Sequence, residues 1–259
     1  INQRYANLPV SSEQIIHRTD EKPVPIAFED QAKNGWSTFP NHGVNGSDTV
    51  GEASIFAMFW YQSFLTGRQV IDVRSIFAAS GYFDAYDYAA EPSDGWANDR
   101  VFPYQKGSGD DAKFGYVWKT RWDSESDARE FMDAYLTILR AQGAHQYGSN
   151  TWVIEDGNFA DAFHVVREGL TVTIINGPTV SSLTDIRPSI SVNRQTTATM
   201  STTTTTTTTT TITTTTKTST TTSSTSTTTT STTSNGQAGF AVLASVIALA
   251  LSILIRRRR

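Results

Sequence analysis

The chain contains no cysteine, and this absence removes a whole class of chemistry. There is no thiol nucleophile, no thiolate metal ligand and no disulfide bond to stabilise an exported domain. Histidine is rare, and its four positions share no metal-ligand spacing and form no HExxH motif. A GxSxG nucleophile elbow and a glycine-rich phosphate loop are also missing. The residues therefore indicate no catalytic site, no metal site and no cofactor, and they favour a protein that is not an enzyme. The histidines are His17, His42, His145 and His164.

Positive charge is scarce in residues 1–187. All 25 acidic residues of the chain lie in this part, but six of the 21 basic residues follow it, which leaves 15 basic residues and a net charge of −10. Only five of those 15 are lysines. This balance argues against nucleic acid or anionic lipid as a partner of residues 1–187. High acidity with little lysine also suits a high-salt habitat.

One long hydrophobic run lies near the C-terminus. Residues 238–255 contain no charge, no proline and no amide over 18 positions, and Arg256 to Arg259 follow directly. At about 1.5 Å per residue a helix of this length spans about 27 Å, close to the thickness of the bilayer hydrocarbon. Arginines beside such a span stay on the cytoplasmic side. The pattern predicts a transmembrane or sorting helix over 238–255 and a basic cytoplasmic tail over 256–259, with the rest of the chain outside.

A threonine- and serine-rich segment precedes this run. Residues 188–237 offer almost nothing apolar to bury, and Thr202 to Thr211 is an unbroken run of threonine. Such a segment cannot offset the entropy of ordering, so we predict a disordered stalk, either mucin-like with O-linked glycans or a plain linker. The chain starts at Ile1 without a signal peptide. Because an exported domain needs one, we expect further residues upstream.

Residues 1–187 are expected to form one extracellular α+β domain. Its N-terminal part has helical and loop patterns, with apolar residues in 49–64 so dense that they predict a helix buried on most sides. Antiparallel strands with a helix packed across one face follow. His164 falls in a strand pattern and is expected to point outward. The helix that follows Trp122 is the clearest, with Asp123 or Ser124 as its cap and Gly143 as its stop. The other predicted helices start near Ser11–Gln14 or cover 49–64, 69–88 and 180–185; the predicted strands are 96–105, 114–122, 151–155, 162–167 and 170–175.

Two further sequence features are candidates for binding or modification. Asn45-Gly46-Ser47 is an N-glycosylation sequon in a loop, which makes Asn45 the candidate acceptor. Four tryptophans in the strand region pack in the core or form a sugar-binding face. These are Trp96, Trp118, Trp122 and Trp152.

Three segments share the pattern of one known family. Residues 5–17 resemble Y-A-x-P-P-x-S-T-E-Q-x-x-H-P, and residues 48–52 resemble its T-L-G-E step. Residues 95–100 and 117–124 resemble its G-W-x-x-D-R and W-x-T-x-W-D-S steps. Together they look like the C-terminal half of a haloarchaeal surface-protein family, which is related to bacterial proteins with a zinc-metallopeptidase-like domain. The resemblance covers residues 1–185, and Arg18 stands where the family usually has proline.

This resemblance implies a set of roles. The family's HExxH helix lies upstream of the region seen here, so no catalytic or zinc-binding residue carries over. Glu13, His17 and Glu52 match family positions and are expected to pack or to support a neighbouring site. Family members often end in a PGF-CTERM signal, and Ala238-Gly239-Phe240 stands here in place of P-G-F. An archaeosortase-type processing enzyme is therefore an expected partner.

The first hypothesis for function is a membrane-anchored cell-surface protein of the archaeal envelope, without a catalytic site in this chain. Its partners would be the membrane, through the C-terminal helix, and cell-envelope components. The alternatives are the C-terminal part of a surface zinc metallopeptidase whose HExxH segment lies upstream, and a carbohydrate- or envelope-binding module that uses the tryptophans.

Overall fold

The computed structural model describes residues 8–38, 46–77 and 86–194. Contacts between residues group all of them into one compact unit. The described residues contain four α-helices and one seven-stranded antiparallel sheet, so the predicted α+β class is confirmed. Among them, no helix has both the length and the hydropathy for a membrane crossing. Several predicted features lie outside the described residues: the sequon residue Asn45, residues 195–237 of the stalk, the apolar run 238–255 with Ala238, Gly239 and Phe240, and the arginines 256–259.

The strands lie in the order β1-β2-β3-β7-β6-β5-β4, and every neighbouring pair is antiparallel. The strands are β1 Trp36–Thr38, β2 Trp96–Lys106, β3 Lys113–Trp122, β4 His145–Gly148, β5 Thr151–Val153, β6 Ala162–Glu168 and β7 Thr171–Gly177. The helices are α1 Glu13–Ile16, α2 Glu52–Thr66, α3 Glu125–Ala141 and α4 Val180–Ile186.

Both faces of the sheet are covered, whereas the sequence predicted a helix across one face. Successive strand residues point to opposite faces, and on β3 Trp118 joins the core under α2 and α3 while Val117 joins a second core. The second core is closed by α4, through Leu183 and Ile186, and by Phe28 from the N-terminal segment. The sheet is therefore the middle layer of the domain.

Helix α3 begins as its sequence predicts. The Ser124 side chain accepts the backbone N–H of Asp127 at 3.2 Å, and the Asp127 carboxylate accepts the backbone N–H of Ser124 at 3.0 Å. This reciprocal capping box satisfies two backbone donors that a helix start otherwise leaves free. Gly143 follows the helix with a φ of 90°, a conformation that glycine adopts without strain.

Several local predictions were wrong. In the described parts of 69–88 the only helical turn is a short 3-10 helix, Ser75–Phe77, in place of the long helix predicted there. Strands β1 and β4 were not predicted, because each is four residues or shorter and lies at an edge of the sheet. Helix α2 was expected to be buried on most sides, but Phe64 and Leu65 in its last turn are 65% and 52% exposed.

The four tryptophans do not form a sugar-binding face. Trp96, Trp118, Trp122 and Trp152 are between 1% and 8% exposed and belong to the core under α2 and α3. Stacking on a sugar ring needs an exposed indole face, so the core interpretation of these residues is confirmed. Their polar N–H groups are used internally: Trp96 and Trp118 donate to Asp99, and Trp122 donates to Thr120.

The expected outward position of His164 was also wrong, since this residue is only 5% exposed. Its Nδ1 lies 3.0 Å from the Thr151 hydroxyl on the neighbouring strand β5. Val165 and Val166 beside it suggested a half-exposed strand, but α4 and the segment before β1 cover the face that was expected to be open. Burial lowers the pKa of His164.

Replacing His164 by asparagine is expected to flatten the pH dependence of stability. A histidine whose pKa is lower in the folded state binds protons more readily when unfolded, so wild-type stability falls as the pH drops below the ordinary value of 6.5. Asparagine keeps an acceptor for the Thr151 hydroxyl and does not titrate. Urea unfolding of both proteins at pH 8, 7, 6 and 5 measures this. The loss of stability on acidification should be smaller in the variant, and equal losses would contradict the assignment.

Candidate functional site

The start of helix α2 is held against the sheet by one buried carboxylate. Asp99 on β2 is fully buried and accepts the backbone N–H groups of Val50 and Gly51, both at 2.8 Å. The indole N–H groups of Trp96 and Trp118 donate to the same carboxylate at 3.0 and 2.9 Å. Burial raises the pKa of Asp99, and these four donors act against that by stabilising the ionised form. All four hydrogen bonds that the described residues make to this carboxylate come from N–H donors, which favours its ionised form.

Helix α1 packs against the same helix start. The Ser12 hydroxyl accepts the backbone N–H of Ala53 in the first turn of α2 at 3.2 Å. One turn later, His17 closes the short helix and extends its ring to Glu52, the first residue of α2. The contact between His17 Nε2 and Glu52 Oε1 is 2.6 Å. This hydrogen bond joins two residues that are 35 positions apart in the sequence, at the start of α2.

The chain turns sharply directly after this histidine. Arg18 has a φ of 55°, in the left-handed region that few residues other than glycine adopt. Proline fixes φ near −65°. Proline at position 18 would therefore be incompatible with the backbone that the structure shows there.

Glu52 is the most unusual member of the site. Its side chain is 0% exposed, and its second oxygen, Oε2, is buried without a hydrogen-bond partner. A buried ionised oxygen without a hydrogen-bond partner is costly, because its lost hydration is not compensated by the protein. Burial raises the pKa of Glu52 to about 6, against the lowering effect of His17. Burial alone lowers the pKa of His17, but its hydrogen bond to Glu52 and the neighbouring negative charges outweigh this and raise it.

Further carboxylates surround this pair. Ligand atoms of His17, Glu52 and Asp94 all lie within 4.8 Å of one another. A second group with the same spacing consists of Glu13, Glu21 and Asp123.

The two groups act on each other electrostatically. Burial and then the charges of Asp123, Glu52 and Glu21 raise the pKa of Glu13 to about 7, while His17 lowers it. Burial and neighbouring carboxylates, led by Glu21, also raise the pKa of Asp123. Five carboxylates thus share one small region, which we call the acidic centre: Glu13, Glu21, Glu52, Asp94 and Asp123, with His17 beside them.

Strand register explains why Asp94 and Asp123 meet there. Asp94 comes just before β2 and Asp123 just after β3, and Trp96 pairs with Trp122 at the open end of this hairpin. The backbone N–H of Asp123 donates to the Gly95 carbonyl at 2.8 Å. The starts of α2 and α3 both lie at this end of the sheet. Their N-terminal dipoles favour negative charge, so they help the domain to tolerate the acidic centre.

The sequence identified half of this site. Glu13, His17 and Glu52 were expected to pack or to support a neighbouring site, and the structure brings all three together. Glu21, Asp94 and Asp123 were not singled out, and Asp123 was expected only as a helix cap. The predicted hairpin contained the missing signal, since residues that flank its two open ends must be neighbours.

A second concave feature is apolar. A cavity of about 100 Å³ lies between α2, α3 and the sheet, and Met58, Trp118 and Ile138 are among its lining residues. An engineered cavity that binds benzene is larger, at about 150 Å³. The cavity therefore has room for only a very small apolar ligand, and the acidic centre is the stronger candidate for function.

Comparison with known proteins places the domain in a family. The sequence model of DUF8575, a domain of unknown function, matches residues 38–187. The matched region includes Glu52, Asp94 and Asp123 of the acidic centre and begins after Glu13, His17 and Glu21. No curated protein and no solved structure matches the chain.

Proposed function

The chain belongs to the DUF8575 family, and on this premise we propose that it is a membrane-anchored cell-surface protein whose folded domain binds a cationic ligand outside the cell. The observation that carries the binding role is the acidic centre, where five carboxylates gather around one histidine. Burial, and to a smaller extent neighbouring carboxylates, raises the pKa values of Glu13, Glu52 and Asp123, so a bound positive charge would stabilise the ionised carboxylates that the fold gathers here.

The anchor is proposed from the C-terminal sequence. Residues 238–255 have the length and composition of a transmembrane or sorting helix, and the arginines 256–259 favour a cytoplasmic end. Residues 188–237 form a threonine-rich stalk that holds the domain away from the membrane. The envelope is an archaeal one, and an archaeosortase-type enzyme acts at Ala238-Gly239-Phe240. Other envelope components are the partners at the outer face.

Binding is favoured over catalysis by the composition of the acidic centre. It consists of five carboxylates and one imidazole, which are groups that bind cations. The second alternative, a sugar-binding module built on the tryptophans, lacks an exposed indole face. A domain with this centre is suited to hold a ligand at the cell surface.

Protease added to intact cells is expected to remove the folded domain. Under the proposed topology residues 1–237 lie outside and the stalk is accessible, so immunoblots against the domain should lose the full-length band. A cytoplasmic marker protein should remain intact in the same cells, and membrane fractionation should place the untreated protein with the membranes. Protection of the domain in intact cells, together with its recovery in the soluble fraction, would reject the proposal.

A further inference from the structure

We infer that His17, Glu52 and Asp94 bind one divalent cation, of the kind that accepts imidazole and carboxylate ligands together. The inference rests on the proposed function only in its expectation of a cationic ligand. It adds the ligand's chemical class, its position in the fold and the atoms that hold it. Zn²⁺ and Mn²⁺ are the ions that match this ligand set, since imidazole suits zinc and carboxylates suit manganese.

The spacing of the three side chains fits a common ion. Ligand atoms about 2.1 Å from one metal ion lie about 3 Å apart in octahedral geometry and slightly more in tetrahedral geometry. The atoms of His17, Glu52 and Asp94 lie within 4.8 Å of one another, and His17 Nε2 is already 2.6 Å from Glu52 Oε1. Asp94 is half-buried and accepts the backbone N–H of Ala90 at 2.9 Å through Oδ1, so its Oδ2 is the oxygen it offers to an ion.

The unpartnered oxygen of Glu52 is an independent observation that points to a ligand. Its side chain is fully buried, its Oε1 is occupied by His17, and its Oε2 has no hydrogen-bond partner. If the His17–Glu52 pair served only to hold α1 on α2, Oε1 alone would be sufficient. The cost of burying Oε2 without a partner would then have no explanation. A cation bound between the three residues takes the place of the proton between His17 and Glu52, offers Oε2 a partner, and opposes the negative charge around the carboxylate.

The site is reachable and has supporting charge. The side chain of His17 is 35% exposed, so an ion can enter from solvent. Glu13, Glu21 and Asp123 lie beside the three ligands and increase the negative potential that attracts a cation. The sequence indicated no metal site because the three ligands come from an N-terminal turn, a helix start and a strand-flanking loop.

The chain offers a matched control for this inference. His145 and Glu155 form another histidine–carboxylate pair, with 3.8 Å between His145 Nε2 and Glu155 Oε1. Both side chains are exposed, at 52% and 74%, and no third ligand joins them among the described residues. Glu155→Gln therefore removes a carboxylate beside a histidine without touching the acidic centre.

Isothermal titration calorimetry of the full chain with ZnCl₂ and with MnCl₂ tests the inference. The wild type should bind one ion per chain, and Glu52→Gln and Asp94→Asn should each weaken the affinity at least tenfold. Glu155→Gln should bind like the wild type. Circular dichroism establishes that each variant is folded, and Asp94→Asn serves as the informative variant if Glu52→Gln does not fold, since Asp94 is only half-buried.

Two outcomes would overturn the cation site. One is no binding of either ion to the folded wild type at millimolar concentration. The other is unchanged affinity in folded Glu52→Gln and Asp94→Asn. Neither outcome bears on the cell-surface location, which the protease experiment on intact cells decides separately. Conversely, a protein that binds the ion but stays in the cytosol would reject the location and keep the site.

Discussion

Replacing Asp99 by asparagine is expected to lower the free energy of unfolding by about 3–5 kcal/mol, because four buried N–H donors would lose the charged group that accepts them. The carboxylate accepts four N–H groups, from Val50, Gly51, Trp96 and Trp118. An asparagine side chain has one acceptor oxygen and a donor NH₂ in place of the second oxygen. That NH₂ would face N–H donors, so at least one buried donor would be left without a partner.

The consequence would extend beyond local stability. Asp99 connects the segment before α2 to strands β2 and β3, and this connection sets the position of Glu52. A folded Asp99→Asn protein should therefore also show a displaced acidic centre and weaker cation binding. This couples the fully buried Asp99 carboxylate to the candidate site.

The measurement is urea-induced unfolding of the full chain at neutral pH. Asp110→Asn is the control, because this acid is exposed in the loop between β2 and β3 and should change stability by no more than about 0.5 kcal/mol. A loss below about 1 kcal/mol in Asp99→Asn, comparable with the control, would mean that the four hydrogen bonds are readily replaced.

The elements that sequence analysis located correctly are those whose signals are local. Helix α3 was located from its cap at Ser124 and its stop at Gly143, and both lie where predicted. The β2–β3 hairpin followed from alternating residues around a glycine-containing loop. A turn between strands 162–167 and 170–175 was also predicted. The observed two-residue loop is Gly169–Leu170, one position later than predicted, because Glu168 still pairs with Thr171.

The rest of the fold depends on long-range contacts that no local pattern encodes. Residues 69–77 contain apolar side chains at helix-like spacing, yet they form turns that pack on α2, where Trp60 donates its indole N–H to the Val73 carbonyl. His164 lies on the sheet face that α4 and Phe28 cover, and Phe28 is distant from it in sequence. Propensity alone cannot predict such tertiary overrides.

The candidate site was predictable only in part for the same reason. His17 and Glu52 lie on segments that the family pattern marks, so they could be singled out without knowing their partner. Their contact depends on how α1 docks on α2. The unpartnered Glu52 Oε2 is a property of burial, and no sequence pattern reports it. The chemistry of the site therefore appears only in three dimensions.

Replacing Phe131 by alanine is expected to lower the free energy of unfolding by about 3–5 kcal/mol, the usual range for a large side chain removed from a packed core. Phe131 on α3 is 0% exposed and has ring contacts with Phe59, Trp118 and Trp122, with centroid distances of 5.8, 5.5 and 4.8 Å. Its ring thus joins α2, α3 and the sheet. The three neighbours are large and rigid, so they cannot collapse into the vacated space.

Phe64→Ala is the matched control for this prediction. Both residues are phenylalanines on long helices, but Phe64 is 65% exposed and its ring stacks on Trp60 at 6.1 Å. Its loss should change stability by no more than about 1 kcal/mol, since little of its surface is removed from water on folding. Thermal and urea unfolding of the full chain should rank wild type and Phe64→Ala close together, with Phe131→Ala far below. Equal losses in the two variants would contradict the assignment of the core, because the loss of stability would then not depend on burial of the side chain. Phe131→Leu should fall between them, since leucine refills part of the space that the ring occupied.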